Sequence, residues 1–441
     1  MKLRCAGLIL IALTNTQTIL RAQTPPATAA AGTPGSRPLT LREAEAIALQ
    51  RNPNITLGKL RALQAREFVR EARSAYYPNA NLNLTAVESD PGSRISAGYL
   101  NNPVIYPRAA YGASLTQLVT DFGRTNNLVE SSRHLEKAEA QNAIATQQDI
   151  ILAVDEAFYN TLETRALQVV AEQTVKARQD RVDQVQALTN AKLKSEVDLS
   201  FSNVDLARAR LLLLDSQNNY QSSLATLSAI LGYTEQQDFV PVDGAEPITP
   251  PATDSVPLVQ QALQQRPEVK ALHEEVTAAT RFSKAEHDLW WPTVNAAGAV
   301  GQAPVRNDNI SSWYGAVGVN INIPVFNGFL YNARAKSADL QTQIKESQLR
   351  ALEERVARDV RNSWLESQKA YERLTVTQQL EDQASKALEL AEARYKLGLG
   401  SIVEYSQAEL QKTDADLQDA DAHYQYLLSQ IELAYQMGTP R

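Results

Sequence analysis

The sequence predicts a mostly α-helical chain of two structural repeats that contributes four strands to a transmembrane β-barrel. Three observations lead to this prediction. Prolines recur at matched spacings in both halves, short segments alternate between apolar and polar residues, and each half holds a long stretch without proline or glycine. A fixed internal spacing indicates one supersecondary unit used twice. We therefore expect helix, strand, strand, long helix and shorter helix in each half.

The repeat is visible in the spacing of its prolines. Asn52-Pro53 stands 25 residues before Pro78, and Arg266-Pro267 stands the same 25 residues before Pro292. Between each pair the composition favours a helix, which the second proline ends. We expect one such helix from about Leu41 to Ala75.

These spacings divide the chain into five segments. Residues 1–22 have a basic start and a short apolar run, which is typical of a secretory signal peptide. Residues 23–38, rich in Pro, Ala and Thr, predict a flexible lead-in. The first repeat spans 39–232, a Pro-rich acidic linker spans 233–256, and the second repeat spans 257–438.

The strands carry one apolar face and one small, polar face. Residues 80–88, 109–120 and 313–325 alternate in this way. Four strands are too few for a spanning barrel, which needs about eight or more because lipid leaves open edges unpaired. Either the strands form a soluble sheet, or three chains pool them into twelve. Under the second hypothesis, Tyr76-Tyr77 and Trp290-Trp291 form an aromatic girdle at the membrane interface; otherwise they are ordinary core residues of a helix–strand junction.

The helices carry a narrow apolar stripe among Gln, Asp, Glu and Arg. Residues 124–190 contain neither Pro nor Gly, which predicts a helix about 100 Å long at ~1.5 Å per residue. Ile151, Val154 and Phe158 keep the three-four spacing of a coiled-coil neighbour. The shorter helices, about 41–75 and 196–231, are expected to stack end to end beside it.

Composition and motifs argue against several other classes of protein. The formal net charge of -7 disfavours a nucleic-acid binder. Four histidines and one cysteine leave little material for a metal cluster or a disulfide framework. Asp121-Phe122-Gly123 spells a kinase triplet, but no phosphate loop or catalytic loop accompanies it. We therefore expect no enzyme activity, no cofactor and no metal site.

Taken in order, these features resemble the TolC-like outer-membrane efflux proteins. The resemblance covers nearly all of the chain after the signal peptide and includes the segments Ile323–Gly328 and Tyr395–Glu404. It implies a homotrimer whose 12-stranded barrel lies in outer-membrane lipid and whose helical tunnel reaches into the periplasm. It also implies a periplasmic adaptor protein and an inner-membrane transporter of the RND or ABC type. The channel would serve efflux or type I secretion.

The resemblance also implies a gate at the periplasmic tips. Tyr395 matches a tyrosine that bonds to an acid, here Asp198, while Gly400 stands where the family has an arginine. Either the gate is looser, or Lys192 or Lys194 supplies the charge. Glu404 matches an acid in the narrowest ring of the lumen, and Gln407 replaces a second acid there.

The tips are also expected to contact the adaptor. The resemblance places this contact on Leu397, Gly398 and Leu399, and less specifically on Lys192, Leu193 and Lys194, because the first turn lacks a glycine. Taken without the resemblance, Asp198 and Glu404 are helix-start acids favoured by the helix dipole. The alternative function is a secreted structural coiled-coil protein with a soluble sheet.

Overall fold

The computed structural model describes residues 37–88, 90, 108–244, 248–303 and 311–439. The expected signal peptide, and the expected lead-in up to residue 36, lie outside these residues.

The two halves have the same order of helices and strands. The first half contains β1 (Arg37–Leu39), α1 (Leu41–Arg51), α2 (Pro53–Ser74), β2 (Asn79–Val87), β3 (Arg108–Thr120), α3 (Arg124–Asn190) and α4 (Glu196–Ile230). The second contains β4 (Phe239–Pro241), α5 (Val256–Gln265), α6 (Pro267–His287), β5 (Thr293–Gln302), β6 (Trp313–Asn322), α7 (Leu330–Lys396) and α8 (Ile402–Gln436). The long helices α3 and α7 each have 67 residues. The helices that follow them each have 35.

The helix expected from Leu41 to Ala75 is divided in two at Asn52. Asn52 has an extended backbone and its side-chain oxygen accepts the Asn54 N–H, so it caps α2 while Pro53 takes the first helical position. The prediction of one helix was wrong because Pro53 has no N–H to continue the hydrogen-bond ladder. In the second half, Arg266-Pro267 separates α5 from α6 in the same way.

The break lets the short helices stack end to end. The Asn52 side-chain amide donates to the Ile230 carbonyl at 3.0 Å, which joins the start of α2 to the end of α4. In the second half the Arg266 guanidinium donates to Gln436, at the end of α8, at 2.6 Å. The composite helices α2 with α4, and α6 with α8, therefore run beside the long helices, as predicted.

The four longer strands form one antiparallel sheet in the order β2-β3-β5-β6. Its apolar face is solvent-exposed in the single chain. The exposed apolar side chains are Leu82, Leu84, Leu115, Val119, Val300, Val317, Val319 and Ile321. β6 ends at Asn322 rather than at the expected Val325, since Pro324 cannot donate to a strand ladder.

The last two residues of the lead-in and the described part of the linker contain short strands that were not expected. β1, at the end of the lead-in, pairs in parallel with β4 in the linker. Leu39 and Phe239, one from each strand, belong to the main hydrophobic core with Phe158 and Leu227. Further along the linker, the Ala252 carbonyl accepts a 2.8 Å hydrogen bond from the Trp364 indole of α7. The linker therefore packs against helices of both halves.

Among the residues that the structure describes, no helix has a stretch long and apolar enough to cross a membrane.

Candidate functional site at the helix tips and the helix–strand junction

Both helical hairpins end in a turn of the same geometry. The Leu193 N–H donates to the Leu188 carbonyl at 2.9 Å, and the Leu399 N–H donates to the Arg394 carbonyl at 2.8 Å. Each turn needs one left-handed residue, which is Lys192 in the first (φ 60°) and Gly398 in the second (φ 74°). Lysine thus occupies a conformation that glycine adopts more easily. The first turn lacks the glycine without losing the shape.

The tips expose leucines to solvent. Leu193, Leu397 and Leu399 are each at least 70% exposed in the single chain. Apolar side chains at the end of a long polar helix pair gain from being covered by a partner. The predicted adaptor-contact residues of both tips therefore lie on one accessible end of the molecule.

Asp198 and Glu404 occupy equivalent positions at the starts of α4 and α8. The Asp198 N–H donates to Ser195 Oγ at 3.2 Å, and the Asp198 carboxylate accepts the Ser195 N–H in return. The Glu404 N–H donates to Ser401 Oγ at 3.1 Å. Asp198 therefore completes a capping box, whereas Ser401 caps α8 and the Glu404 carboxylate lies in its first turn, where the helix dipole favours an acid.

Tyr395 is buried close to Asp198 without a hydrogen bond to it. Its hydroxyl has no hydrogen-bond partner among the described residues. Burial raises the pKa of the Tyr395 phenol, and the negative charge of Asp198 raises it further. Tyr395 and Asp198 therefore lie near each other in the single chain, as predicted, but the predicted hydrogen bond between them is absent from the described structure.

A side chain at Gly400 would press against its neighbours. A Cβ at this position would lie 3.2 Å from both Arg394 Cβ and a Glu404 carboxylate oxygen. Arg394 already occupies the space and pairs with Glu404, with Nε 3.2 Å from Oε1. Position 400 has no arginine, but Arg394, near the end of α7, pairs with Glu404 instead.

Gln407 lines a cleft between α4 and α8. The cleft has a volume of about 390 Å³ and is also lined by Phe201, Asp205 and Leu410. In its wall, Ser406 Oγ donates to Asp205 at 2.7 Å. The cleft thus combines apolar side chains with carboxylates and with the guanidinium groups of Arg178 and Arg208.

The sequence did not reveal a buried charge cluster above the tips. Arg178 and Arg181, both on α3, pair with Glu409 on α8. All three side chains are 10% exposed or less. Removing one partner of such a cluster leaves an uncompensated buried charge. The only local indication of this cluster is the pair of arginines, three residues apart on the buried face of α3. Their partner Glu409 is more than 200 positions away, so the sequence alone does not connect them.

The predicted aromatic pairs lie where helices meet strands and are partly exposed. Tyr77 and Trp291 are 70% and 56% exposed. Trp291 packs against Phe122 with ring centroids 5.8 Å apart, and Trp290 meets Tyr331 edge to face at 5.5 Å. Phe122 lies just after β3 and Tyr331 lies in the first turn of α7, so they extend the predicted aromatic girdle to the strand-to-helix connections. The sequence analysis did not include these two residues.

The family model described as "Outer membrane efflux protein" matches residues 46–233 and 258–439. The outer membrane protein TolC of Vibrio cholerae is 26% identical over 400 residues, which cover 85% of this chain and 84% of that protein. Two solved structures share the fold at 19% identity. The CusC structure has a TM-score of 0.79 and covers 90% of this chain and 92% of its own. The outer membrane protein VceC of Vibrio cholerae has a TM-score of 0.77 and covers 91% and 96%.

The chain belongs to the outer membrane efflux protein family, since the family model matches most of its length in two segments. It is an outer-membrane channel protein of the TolC type, as the resemblance predicted. The predicted fold class, mostly α with a β-barrel contribution, is confirmed by its likeness to solved channel structures.

Proposed function

We propose that three copies of the chain close one twelve-stranded barrel and form a passive duct across the outer membrane. The observation that carries the proposal is the four-stranded sheet, which has two unpaired edges, β2 and β6, and an apolar face that is exposed to solvent in the single chain. In lipid, unpaired backbone groups at a sheet edge each cost several kcal/mol, about as much as leaving a buried polar group unsatisfied. Pairing β6 of one copy with β2 of the next removes every open edge.

The aromatic girdle indicates which end of the barrel faces the periplasm. The girdle lies at the helical end of the strands and consists of Tyr76-Tyr77, Trp290-Trp291 and their ring partners. Amphipathic rings favour a membrane–water interface, which here would be the periplasmic side of the outer membrane. The helices would then project into the periplasm as a tunnel. The lumen would be lined by the opposite, small and polar face of the strands.

At the far end of the helices we place the gate and the adaptor contact. Asp198, Tyr395, Glu404 and Gln407 lie near the tips, and a threefold arrangement would bring three Glu404 carboxylates towards one axis. Like charges in a constriction repel one another and favour cations. The exposed leucines of both tips are the proposed contact with a periplasmic adaptor, which couples the duct to an inner-membrane RND or ABC-type pump.

The duct needs no catalytic group of its own because the pump supplies the energy. Its cargo is proposed to be small amphipathic compounds, with a secreted protein as the second candidate. The competing function, a secreted structural coiled coil with a soluble sheet, predicts a protein that needs no detergent.

The mass of the particle in mild detergent tests the proposal. Protein extracted from outer membranes should give three chains per particle after correction for bound detergent, and it should conduct ions in a planar lipid bilayer. A monomer that stays in solution without detergent would contradict the proposal and favour the structural coiled coil.

A further inference from the structure

Two adjoining clefts lie between α4 and α8, with residues of α3 in their walls. The first is the cleft that Gln407 lines, and its volume is about 390 Å³. The second has a volume of about 330 Å³. Leu212 and Leu417 line both clefts, so the two meet at this pair of leucines. Each volume is within the range of small-molecule sites, about 300–1,000 Å³.

Apolar side chains from all three helices line the clefts and remain open to solvent in the single chain. Phe201 is 43% exposed and Leu410 is 54% exposed. The other apolar lining residues are Leu167, Ala209, Leu212, Val403 and Leu417. A ligand with an apolar body gains free energy when it removes such side chains from water.

Four carboxylates line the clefts, and two of them already have cations beside them. Asp205 of the first cleft lies 3.9 Å from Arg208 of the same helix. Asp421 of the second cleft lies 2.7 Å from Arg373 of α7. The charges of these two carboxylates are therefore compensated within the chain.

The other two carboxylates, Asp414 in the first cleft and Asp215 in the second, are exposed. Among the described residues, neither forms an ion pair, and Asp414 accepts a 2.7 Å hydrogen bond from the neutral Gln418. The second guanidinium of the first cleft, Arg178, does not compensate them, because it pairs with the buried Glu409. Each cleft therefore presents one uncompensated negative charge beside apolar side chains.

We propose that the paired clefts bind amphipathic cations, which are compounds with an apolar body of aromatic or alkyl groups and a positive charge. The apolar body would cover Phe201 and Leu410, and the charge would lie near Asp414 or Asp215. The proposal rests on the proposed function, under which Gln407 faces the lumen and the clefts open onto the path of the cargo. It narrows the proposed amphipathic cargo to compounds of positive charge.

Titration calorimetry of the purified protein in a nonionic detergent tests the site with three probe ions. Tetraphenylphosphonium is an amphipathic cation, tetraphenylborate has the same shape with a negative charge, and tetramethylammonium has the charge without the rings. The protein should bind tetraphenylphosphonium and should bind the other two ions much more weakly, after subtraction of a titration of each ion into detergent alone. If either of the other ions binds as tightly as tetraphenylphosphonium, the clefts do not select amphipathic cations and the proposal is wrong.

A double variant locates the charge recognition. Asp215→Asn combined with Asp414→Asn should weaken binding of tetraphenylphosphonium about two- to thirtyfold, the range that two partly exposed ion pairs give when they are converted to an equilibrium constant. Glu172→Gln combined with Asp183→Asn is the matched control. These two acids of α3 are exposed, each accepts a hydrogen bond from a glutamine, and neither lines the clefts. Equal weakening by both double variants would assign binding to net charge and overturn the site.

Leu410→Gln tests the apolar part of the recognition. Because Leu410 is more than half exposed, this variant should unfold at the wild-type temperature but bind tetraphenylphosphonium more weakly. Unchanged binding would show that the probe does not lie in the first cleft, and that this part of the proposal is wrong.

The outcomes also distinguish the binding site from the function beneath it. If the protein is trimeric and conducts ions but does not prefer tetraphenylphosphonium, the duct stands and the site is overturned. If a monomeric fraction binds the cation and the trimer does not, a second copy covers the clefts and the site is again overturned. If the protein forms neither a trimer nor a pore, the proposed function fails and the assignment of the clefts to its cargo fails with it.

Discussion

At the residue scale, Glu163 carries a strongly perturbed carboxyl group halfway along α3. Burial raises its pKa to about 7, and the neighbouring charge of Asp421 adds to the effect. Gln425 donates to Glu163 at 3.2 Å, and Arg373 pairs with Asp421 at 2.7 Å. When it is protonated, the Glu163 carboxyl can donate a hydrogen bond to Asp421, which also raises the pKa of Glu163.

The sign of the pH effect follows from this shift. The folded state holds the Glu163 proton more tightly than the unfolded chain, where the pKa is near its ordinary 4.5. Stability must then fall as pH rises from about 4.5 to 7, because the folded state has to give up a proton that it prefers to keep. The wild-type unfolding temperature in detergent is expected to be lower at pH 8 than at pH 5.

Glu163→Gln removes this titration while keeping a group that can donate to Asp421. We expect the variant to unfold at a higher temperature than wild type at pH 8 and to show a smaller change between pH 5 and pH 8. Glu172→Gln, which alters an exposed carboxylate on the same helix, should keep the wild-type slope. Equal slopes in wild type and Glu163→Gln would show that Glu163 does not carry the effect.

At the element scale, a glycine follows each of the helices α4 and α8. Each glycine packs against the helix break in the same half, after α1 or after α5. Gly232 and Gly438, which follow α4 and α8, both have positive φ values of 84° and 74°. A Cβ on Gly438 would lie 2.9 Å from the Arg266 backbone nitrogen, and one on Gly232 would lie 3.1 Å from the Arg51 carbonyl oxygen. Gly232 and Gly438 stand 35 residues after Val197 and Val403, which occupy matching positions in the two halves, and the structure supplies the reason.

Gly438→Ala and Gly398→Ala form a matched pair. Both glycines have φ of 74°, but nothing lies within 4 Å of the Cβ position at Gly398. Gly398→Ala should therefore cost only the strain of a left-handed alanine, about 1 kcal/mol. Gly438→Ala should cost clearly more, since the backbone at Arg266 must also move.

Thermal unfolding of the two variants in detergent measures this difference. A lower unfolding temperature for Gly438→Ala than for Gly398→Ala is the expected result. Equal losses would mean that contact with the Arg266 backbone contributes nothing, and that the helix ends are not closely abutted.

At the scale of the whole molecule, the two faces of β6 should respond differently to charge. Val319 lies on the apolar face and is 66% exposed in the single chain, while the next residue, Asn320, lies on the opposite face. Under the proposed function Val319 meets lipid and Asn320 meets the lumen. An arginine on the lipid face of a barrel costs about 2–4 kcal/mol at the bilayer midplane.

The pair Val319→Arg and Asn320→Arg tests this orientation. Val319→Arg should greatly reduce the amount of trimer recovered from outer membranes, whereas Asn320→Arg should assemble and alter only conduction. Trimer yields reduced equally by both substitutions would contradict the assignment of faces.

The sequence by itself determined the elements and their duplication. Local composition placed the 67-residue helices and the alternating strands, because a missing proline or glycine and a two-residue period are properties of contiguous residues. The proline spacing showed the repeat, and the order of short motifs carried the resemblance to the family. The division at Asn52 could have been read from Pro53, but composition alone favoured a continuous helix.

Only the tertiary structure decided which distant side chains meet. β1 spans the end of the predicted lead-in and the first residue of the first repeat, and it pairs with β4 of the predicted linker. Leu39 and Phe239 share a core that neither segment reveals alone. Glu409 finds Arg178 and Arg181 across more than 200 positions, and Lys194 finds Tyr395 across a similar distance. Such contacts depend on how the long helices pack beside one another, and a local sequence pattern does not determine that packing.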